Sequence, residues 1–135
     1  MHASPASIAA IFLLASAPLR AEMPVDAHVL CDAHADALLT ALGEAHYEDA
    51  TADFDAALRA RYTVARLRKD YEALPSSYGK VLGRGRPHTG DAGGHTVVLT
   101  PLIFERGTIT AEVHCSGDGA VSDLRLDVTQ VMGKP

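Results

Sequence analysis

The sequence predicts an α+β fold in which N-terminal helices pack on one face of a curved, mostly antiparallel sheet of about four strands. Two observations support this fold class. Apolar residues recur at helical spacing up to residue 74 and at strand spacing from residue 95 to residue 128. The helical segments also precede the strands, whereas an α/β fold alternates the two. Each element has one apolar surface, so we expect the helices to cover the apolar face of the sheet.

Three helices are predicted in the N-terminal half. The first spans residues 26–42 and carries Cys31 in the middle of its apolar stripe. A second, shorter helix is predicted over residues 45–58. The third begins at Thr63, a favourable N-cap, and ends at residues 75–77, where Pro-Ser-Ser interrupts the pattern. The apolar seam of this third helix consists of Val64, Leu67, Tyr71 and Leu74.

The C-terminal half predicts strands joined by short turns. A glycine-interrupted strand, a turn-rich loop and three further strands are predicted at 80–86, 87–94, 95–104, 108–115 and 120–128. An Asp-Gly pair supplies the turn between the last two strands. Side-chain alternation places Cys115 on the apolar face of its strand.

The two cysteines, Cys31 and Cys115, are therefore both expected to face the interior. A disulfide between them would close a loop of about 85 residues, which the chain-entropy model makes worth about 4–5 kcal/mol. The alternative is a pair of unbonded cysteines in the core. The pattern alone leaves both interpretations open.

The N-terminus predicts a secretory signal at residues 1–21. An apolar run over residues 8–17 is followed by a small-residue exit at Ala21, and the run is too short to anchor the chain in a bilayer. We expect cleavage after Ala21 and a single mature domain at 22–135, periplasmic or secreted, with no membrane span. The segment before the apolar run carries no Lys or Arg, and a buried N-terminal helix is the alternative.

Charge is unevenly distributed along a chain of net charge −5. Residues 22–58 contain nine acidic residues and no Lys or Arg, whereas residues 59–86 contain eight of the twelve basic residues. This basic segment could face an anionic partner, or it could be a solvated helix beside acidic ones. The acidic total and the lack of aromatic residues among the basic ones argue against nucleic acid.

Motifs for known chemistry are few. The repeated Asp-Ala-His at 26–28 and 32–34 suggests metal ligands, but His28 and His34 point about 120° apart on one helix. His28 and Asp32 could share an ion, yet two ligands are too few for structural zinc. The sequence contains no Gly-x-Ser-x-Gly, His-Glu-x-x-His or phosphate loop. We therefore expect neither a metal nor a cofactor.

A family resemblance rests on five segments, which follow one another along the chain. They are Ala-Asp-Ala-Leu-Leu at 35–39, Ala-Thr-Ala-Asp-Phe-Asp at 50–55, the helix pattern from Thr63 to Gly79, the strand pattern at 96–107 and Gly-Asp-Gly at 117–119. Together they resemble a bacterial domain family of unknown function, often found ahead of α/β-hydrolase domains or alone in exported proteins. That family is similar to the nuclear transport factor 2-like superfamily, in which a curled sheet and helices form a cone with a cavity. The resemblance covers about residues 28–129. It departs at Tyr71, where the family commonly carries Trp, and it implies no catalytic residues.

The resemblance implies a ligand cavity between the helices and the sheet. Its candidate lining residues are Leu38, Leu42, Phe54, Tyr71 and Tyr78. We expect the domain to bind a small apolar ligand there, or a protein partner across the sheet. Superfamily members often dimerise through the outer sheet face, which implies a homodimer interface formed by Thr108, Thr110, Glu112 and His114.

A lyase or isomerase of the cone-fold type is the alternative function. Such an enzyme would use a cavity Tyr with an acid/base residue of tuned pKa. No Asp or His clearly falls on the inner sheet face, because Glu112 and His114 alternate away from it. A catalytic cavity would hold a carboxylate or His facing a Tyr hydroxyl, whereas a binding cavity would be lined by aliphatic side chains.

Overall fold

The computed structural model describes residues 26–127, together with the isolated residue 3. Within this range four helices precede an open antiparallel sheet of five strands. The predicted α+β class is confirmed, with one strand more than expected. The predicted signal segment and the C-terminal tail lie outside residues 26–127. Among the described residues, no helix combines the length and the apolar character that crossing a bilayer requires.

Helix α1 (Ala27–Gly43) confirms the first predicted helix. Asp26 caps it, because the backbone N–H of His28 donates to the Asp26 carboxylate over 2.8 Å. One side of the helix faces the sheet and is buried. Its buried residues are Cys31, Ala35, Leu38, Leu39, Ala41 and Leu42.

The single helix predicted at 45–58 is wrong. The structure has two short helices there, α2 (Tyr47–Ala50) and α3 (Ala56–Arg61). Between them Phe54 forms a parallel bridge with Val121, and Asp55 N–H donates to the Val121 carbonyl over 2.9 Å. Backbone groups that would continue a helix thus form hydrogen bonds with β5 instead. The Asp55 carboxylate then accepts a hydrogen bond at the start of α3 and caps this helix.

Helix α4 (Val64–Tyr78) starts where predicted, with the Thr63 hydroxyl accepting from the Arg66 N–H. Its predicted end at residues 75–77 is wrong, because the helix continues through Pro75 to Tyr78. Proline removes one helical hydrogen bond. The last turn is nevertheless held by packing of Tyr78 on Phe104 and by Gly79, whose positive φ of 79° ends the helix.

The sheet has the order β1-β3-β4-β5, and β2 pairs with β3 beside β1. Its strands are β1 (Val81–Arg84), β2 (His88–Ala92), β3 (His95–Phe104), β4 (Gly107–Cys115) and β5 (Val121–Asp127). The loop predicted at 87–94 is wrong, because β2 forms a tight hairpin with β3. Gly93 and Gly94 make its two-residue turn with φ of 59° and 82°, a geometry that matches the twist of the strands.

The interior lies between the helices and the inner face of the sheet, as predicted. Cys31 of α1 and Cys115 of β4 are both fully buried there, and their sulfurs are bonded at 2.07 Å. Of the two interpretations that the sequence left open, the structure has the disulfide. It joins the first helix to the middle of the sheet across 84 residues of chain.

Candidate functional site

A groove of about 310 Å³ opens between α1, α4 and β1. We call it the α1–β1 groove. Leu39 of α1 and Leu102 of β3 form its floor, since both are buried, and Tyr71 of α4 forms one wall. Small-molecule sites are usually concave, mostly apolar and about 300–1,000 Å³ in volume. The groove therefore has the size and character of a site for a small ligand.

A β-bulge in β1 shapes the mouth of the groove. The pairing of β1 with β3 shifts between Val81 and Gly83, which leaves Leu82 as an extra residue. Both Val81 and Leu82 line the groove, and they are 40% and 65% exposed. Bulges break the strict alternation of side chains and re-aim them. Two adjacent apolar side chains thus stand at one opening, where solvent reaches them.

Arg84 provides the cationic group of the groove. Its guanidinium donates to the Asp36 carboxylate over 3.2 Å and to the Thr40 hydroxyl over 3.1 Å, both on α1. The Arg84 side chain is 33% exposed and that of Asp36 is 74% exposed. Exposed ion pairs are typically worth about 0–1 kcal/mol. The pair is therefore a weak contact between α1 and the sheet edge.

A second cleft of about 220 Å³ adjoins the groove. Arg84 and Leu39 line both spaces, so the guanidinium lies at the boundary between them. The second cleft is more polar, with Asp32 and Asp36 on the α1 side and Thr100 on the sheet side. Gly85 borders it where the backbone passes Pro101 so closely that a Cβ would lie 2.9 Å from the ring. Glycine at this position is thus required for the close approach.

Tyr71 lines the groove with a ring that carries a hydroxyl. Burial raises the pKa of this hydroxyl, and the nearby Arg84 guanidinium opposes part of that rise. The hydroxyl makes no hydrogen bond with the residues in 26–127, whereas Tyr47 and Tyr62 each donate to a carboxylate. Tyr71 is thus a protonated donor near neutral pH, with its hydrogen available to a ligand.

The five predicted cavity residues do not lie together around one cavity: four belong to the core or pack against it, and one lines the groove. Leu38, Leu42 and Phe54 are buried in the core. Tyr78 packs on Phe104 with ring centroids 5.9 Å apart. Of the five, Tyr71 lines the α1–β1 groove.

Sequence reasoning missed every lining residue of the groove except Tyr71, and three of the missed residues show why. Leu39 lies on the predicted apolar stripe of α1, and the stripe alone does not show which of its residues border a groove. Leu82 and Arg84 lie on a strand interrupted by glycines, and no local signal shows that a bulge turns Leu82 toward α1. Their residue types can be read from the sequence, but the sequence does not show that the fold brings these residues together in one groove.

The repeated Asp-Ala-His segments do not converge in the structure. His28 pairs with Asp91 at 2.8 Å. His34 instead contacts the Gly119 carbonyl at 2.6 Å, and its other ring nitrogen lies 3.7 Å from Asp53. Within residues 26–127, no cluster of three or more His, Cys, Asp or Glu side chains is placed to hold a metal ion.

Two Tyr–carboxylate pairs lie outside the groove. Tyr62 donates to Asp70 over 2.8 Å, and Tyr47 donates to Glu72 over 3.1 Å. Burial and then the Asp70 hydrogen bond strongly raise the pKa of Tyr62. A tyrosine with a raised pKa is a poor proton donor in catalysis near neutral pH.

The outer sheet face carries the four residues of the expected dimer interface. His114 and Glu112 of β4 form a pair at 2.6 Å, and Thr108 and Thr110 follow along the same strand. Beside them, β3 presents a row of apolar residues. The row consists of Val97, Leu99, Pro101 and Ile103, of which Leu99 and Ile103 are each 38% exposed.

The basic segment pairs extensively with acidic side chains. Arg61 bridges to Asp123, and Arg66 and Arg68 each bridge to the acid four residues further along α4. The Arg66 and Arg68 pairs match a solvated helical face with intrahelical ion pairs, whereas the Arg61 pair joins α3 to β5. Together with the Arg84–Asp36 pair, they neutralise part of the charge separation seen along the chain.

Comparisons of this chain with models of protein families, with curated proteins and with solved structures find no match.

Proposed function

We propose that this protein is an exported domain at residues 22–135 that binds a small apolar ligand in the α1–β1 groove. One observation carries the proposal. The groove has a buried aliphatic floor, Leu39 and Leu102, and two exposed apolar residues, Val81 and Leu82, at its mouth. Apolar side chains held at a concave opening lose contact with water when a ligand covers them, and this gain drives binding.

Export is supported by two features of the chain. Residues 8–21 have the apolar run and small-residue exit of a secretory signal. The Cys31–Cys115 disulfide is the kind of bond that persists in oxidising compartments. We therefore place the mature domain in the periplasm or outside the cell.

A cone-like fold of the nuclear transport factor 2-like type remains part of the proposal. Its support is the element order, with helices first, together with the placement of the helices on one sheet face. The groove differs from the cavity that the resemblance implies. It opens at the edge of the sheet beside β1, rather than around Leu38, Leu42 and Phe54.

A lyase or isomerase has less support. Among the described residues, no Asp, Glu or His side chain is hydrogen-bonded to the hydroxyl of Tyr71. Glu44 lines the groove, but its carboxylate pairs with His46 at 3.2 Å. The arrangement supplies a binding surface with a donor group, and among the described residues no carboxylate or imidazole is hydrogen-bonded to the Tyr71 hydroxyl to act with it as acid or base.

The test is an NMR titration of the mature domain with 1-octanol, an uncharged apolar probe. We expect amide shifts at residues of α1, α4 and β1 that line the groove. Leu82→Ser should weaken binding about fivefold to tenfold, because a fully buried leucine contributes about 1.5–3 kcal/mol and Leu82 covers one side of the ligand.

Val29→Ser is the matched control. Val29 is a 59% exposed apolar residue of α1 that does not line the groove. Its replacement should leave the octanol affinity unchanged. Shifts scattered over the surface, or equal effects of the two substitutions, would show that the groove is not a binding site.

We also propose that the outer sheet face forms a homodimer. The apolar row of β3 and the neighbouring polar residues of β4 form a mixed surface that the described helices do not cover. Leu99→Glu should shift sedimentation toward the monomer, because it would put a charge against its symmetry mate in an isologous interface. A wild-type protein that sediments as a monomer at high concentration would refute this interface.

A further inference from the structure

The position of Arg84 indicates which head group a ligand of the groove would carry. Arg84 lines both the apolar groove and the polar cleft beside it, so its guanidinium lies where the two spaces meet. A cation beside an apolar groove is suited to an amphipathic ligand, which has a hydrophobic body and an anionic head group. The weak partners of Arg84 allow such a head to replace them.

We propose that the ligand is a small monocarboxylic acid with an aliphatic body, whose carboxylate replaces Asp36 on Arg84 and accepts a hydrogen bond from Tyr71. This inference rests on the proposed function, since it assigns the head group of the ligand in the same groove.

The present contacts of Arg84 leave it able to exchange partners. Its terminal nitrogens contact the Asp36 carboxylate, the Asp36 carbonyl and the Thr40 hydroxyl at 3.1–3.4 Å. Arginine binds carboxylates best through two parallel hydrogen bonds, and the Asp36 carboxylate receives a single one. A ligand carboxylate in the groove can accept two, and it would be less exposed than Asp36.

Tyr71 supplies the second donor. Its hydroxyl lacks an acceptor among residues 26–127, and it lines the same groove as Arg84. A carboxylate lying between the two would satisfy the hydroxyl and the guanidinium together. The aliphatic body would then lie over Leu39 and Leu102 and under Leu82.

The surrounding acids restrict the ligand to one negative charge. Asp32 and Asp36 line the adjoining cleft, and Glu44 lines the groove itself. A second anionic group would meet these carboxylates without a cation of its own, because Arg84 is the basic residue lining these two spaces. The volume of about 310 Å³ also favours a small molecule.

The test compares three eight-carbon probes at neutral pH: octanoate, 1-octanol and octylammonium. We expect octanoate to bind at least tenfold more tightly than octanol, and octylammonium to bind most weakly. Arg84→Gln should reduce octanoate affinity to the octanol level, and Tyr71→Phe should reduce it severalfold. Arg86→Gln, which removes a charge from an exposed neighbour outside the groove, should change little.

Asp36→Asn provides a result that misfolding cannot imitate. Removing this carboxylate takes away the competitor for Arg84 and one repulsive charge, so octanoate should bind about threefold to tenfold more tightly than to the wild type. The affinity for octanol should stay the same.

The two proposals fail in different ways. Equal binding of octanoate and octanol in the groove, or unchanged octanoate affinity in Asp36→Asn, would overturn the carboxylate inference and leave the apolar site standing. Absence of binding by all three probes would overturn both.

Discussion

Close contact between Gly119 and Leu30 joins the β4–β5 turn to helix α1. Gly119 has a φ of 86°, and a Cβ built on it would overlap a methyl carbon of Leu30. Its carbonyl also accepts a hydrogen bond from His34 of α1. One residue thus needs both the left-handed backbone and the missing side chain.

Replacement of Gly119 by alanine should therefore destabilise the fold by about 2–4 kcal/mol, the sum of a strained φ and a steric overlap. Urea unfolding followed by circular dichroism measures the change. Gly117→Ala in the same turn is the control, because a Cβ added at Gly117 would meet no atom of residues 26–127 within 4 Å and its φ is not positive. Equal stabilities of the two variants would contradict this account.

At the scale of elements, an exposed ion pair links the first turn of α1 to β2. The hydrogen bond that the His28 ring donates to the Asp91 carboxylate raises the pKa of His28 above 6.5, and the negative charge of Asp91 adds to this rise. A raised folded pKa means that protonated His28 favours the folded state. This contribution is fully present below pH 6.5 and is lost as the pH rises through the higher pKa of the folded state.

An NMR titration of the histidine ring protons checks this sign. His28 should titrate above 6.5, and Asp91→Asn should bring its pKa down toward that value. Salt at about 0.5 M should have a smaller effect in the same direction, because the pair is exposed and screened. Asp49→Asn, which removes the same charge on α2, should leave the His28 pKa unchanged. A pKa insensitive to Asp91→Asn would show that the pair does not form in solution.

Element boundaries could be predicted where one local signal decided them. The Thr63 cap and the period-two alternation of β3 and β4 placed those elements correctly, because each signal lies within its own segment. Pro75 and the 45–58 segment were predicted wrongly for the opposite reason. Their conformations depend on partners distant in sequence, Phe104 for the last turn of α4 and Val121 for the break after α2.

The same contrast between local signals and distant partners explains which parts of the candidate site could be predicted. The inward position of both Cys31 and Cys115 could be predicted, because each cysteine lies on the apolar face of a regular element, whereas the bond between them was one of two open interpretations. The groove could not, because Arg84 and Leu82 reach α1 through a bulge and a crossing between distant segments. A bulge is set by strand pairing, which the local sequence does not reveal.

At the scale of the whole molecule, the disulfide is expected to contribute a large share of the stability. The double substitution Cys31→Ala and Cys115→Ala should lower the free energy of unfolding by about 4–5 kcal/mol, because the unfolded chain loses an 84-residue loop constraint. Typical domains have only about 5–15 kcal/mol in total. Urea unfolding with and without reductant measures the effect.

Reductant provides the internal control for this prediction. It should destabilise the wild type by a similar amount and leave the double variant unaffected. Two free thiols in the denatured, unreduced wild type would show that the bond is absent.

The bond between Cys31 and Cys115 would hold together a chain that has been cut between these two residues. Every turn from the end of α1 to the start of β4 lies between these two residues, including the exposed Gly93–Gly94 turn. A protease nick at that turn would yield two fragments that still migrate together on a non-reducing gel. They would separate only once the sulfurs are reduced.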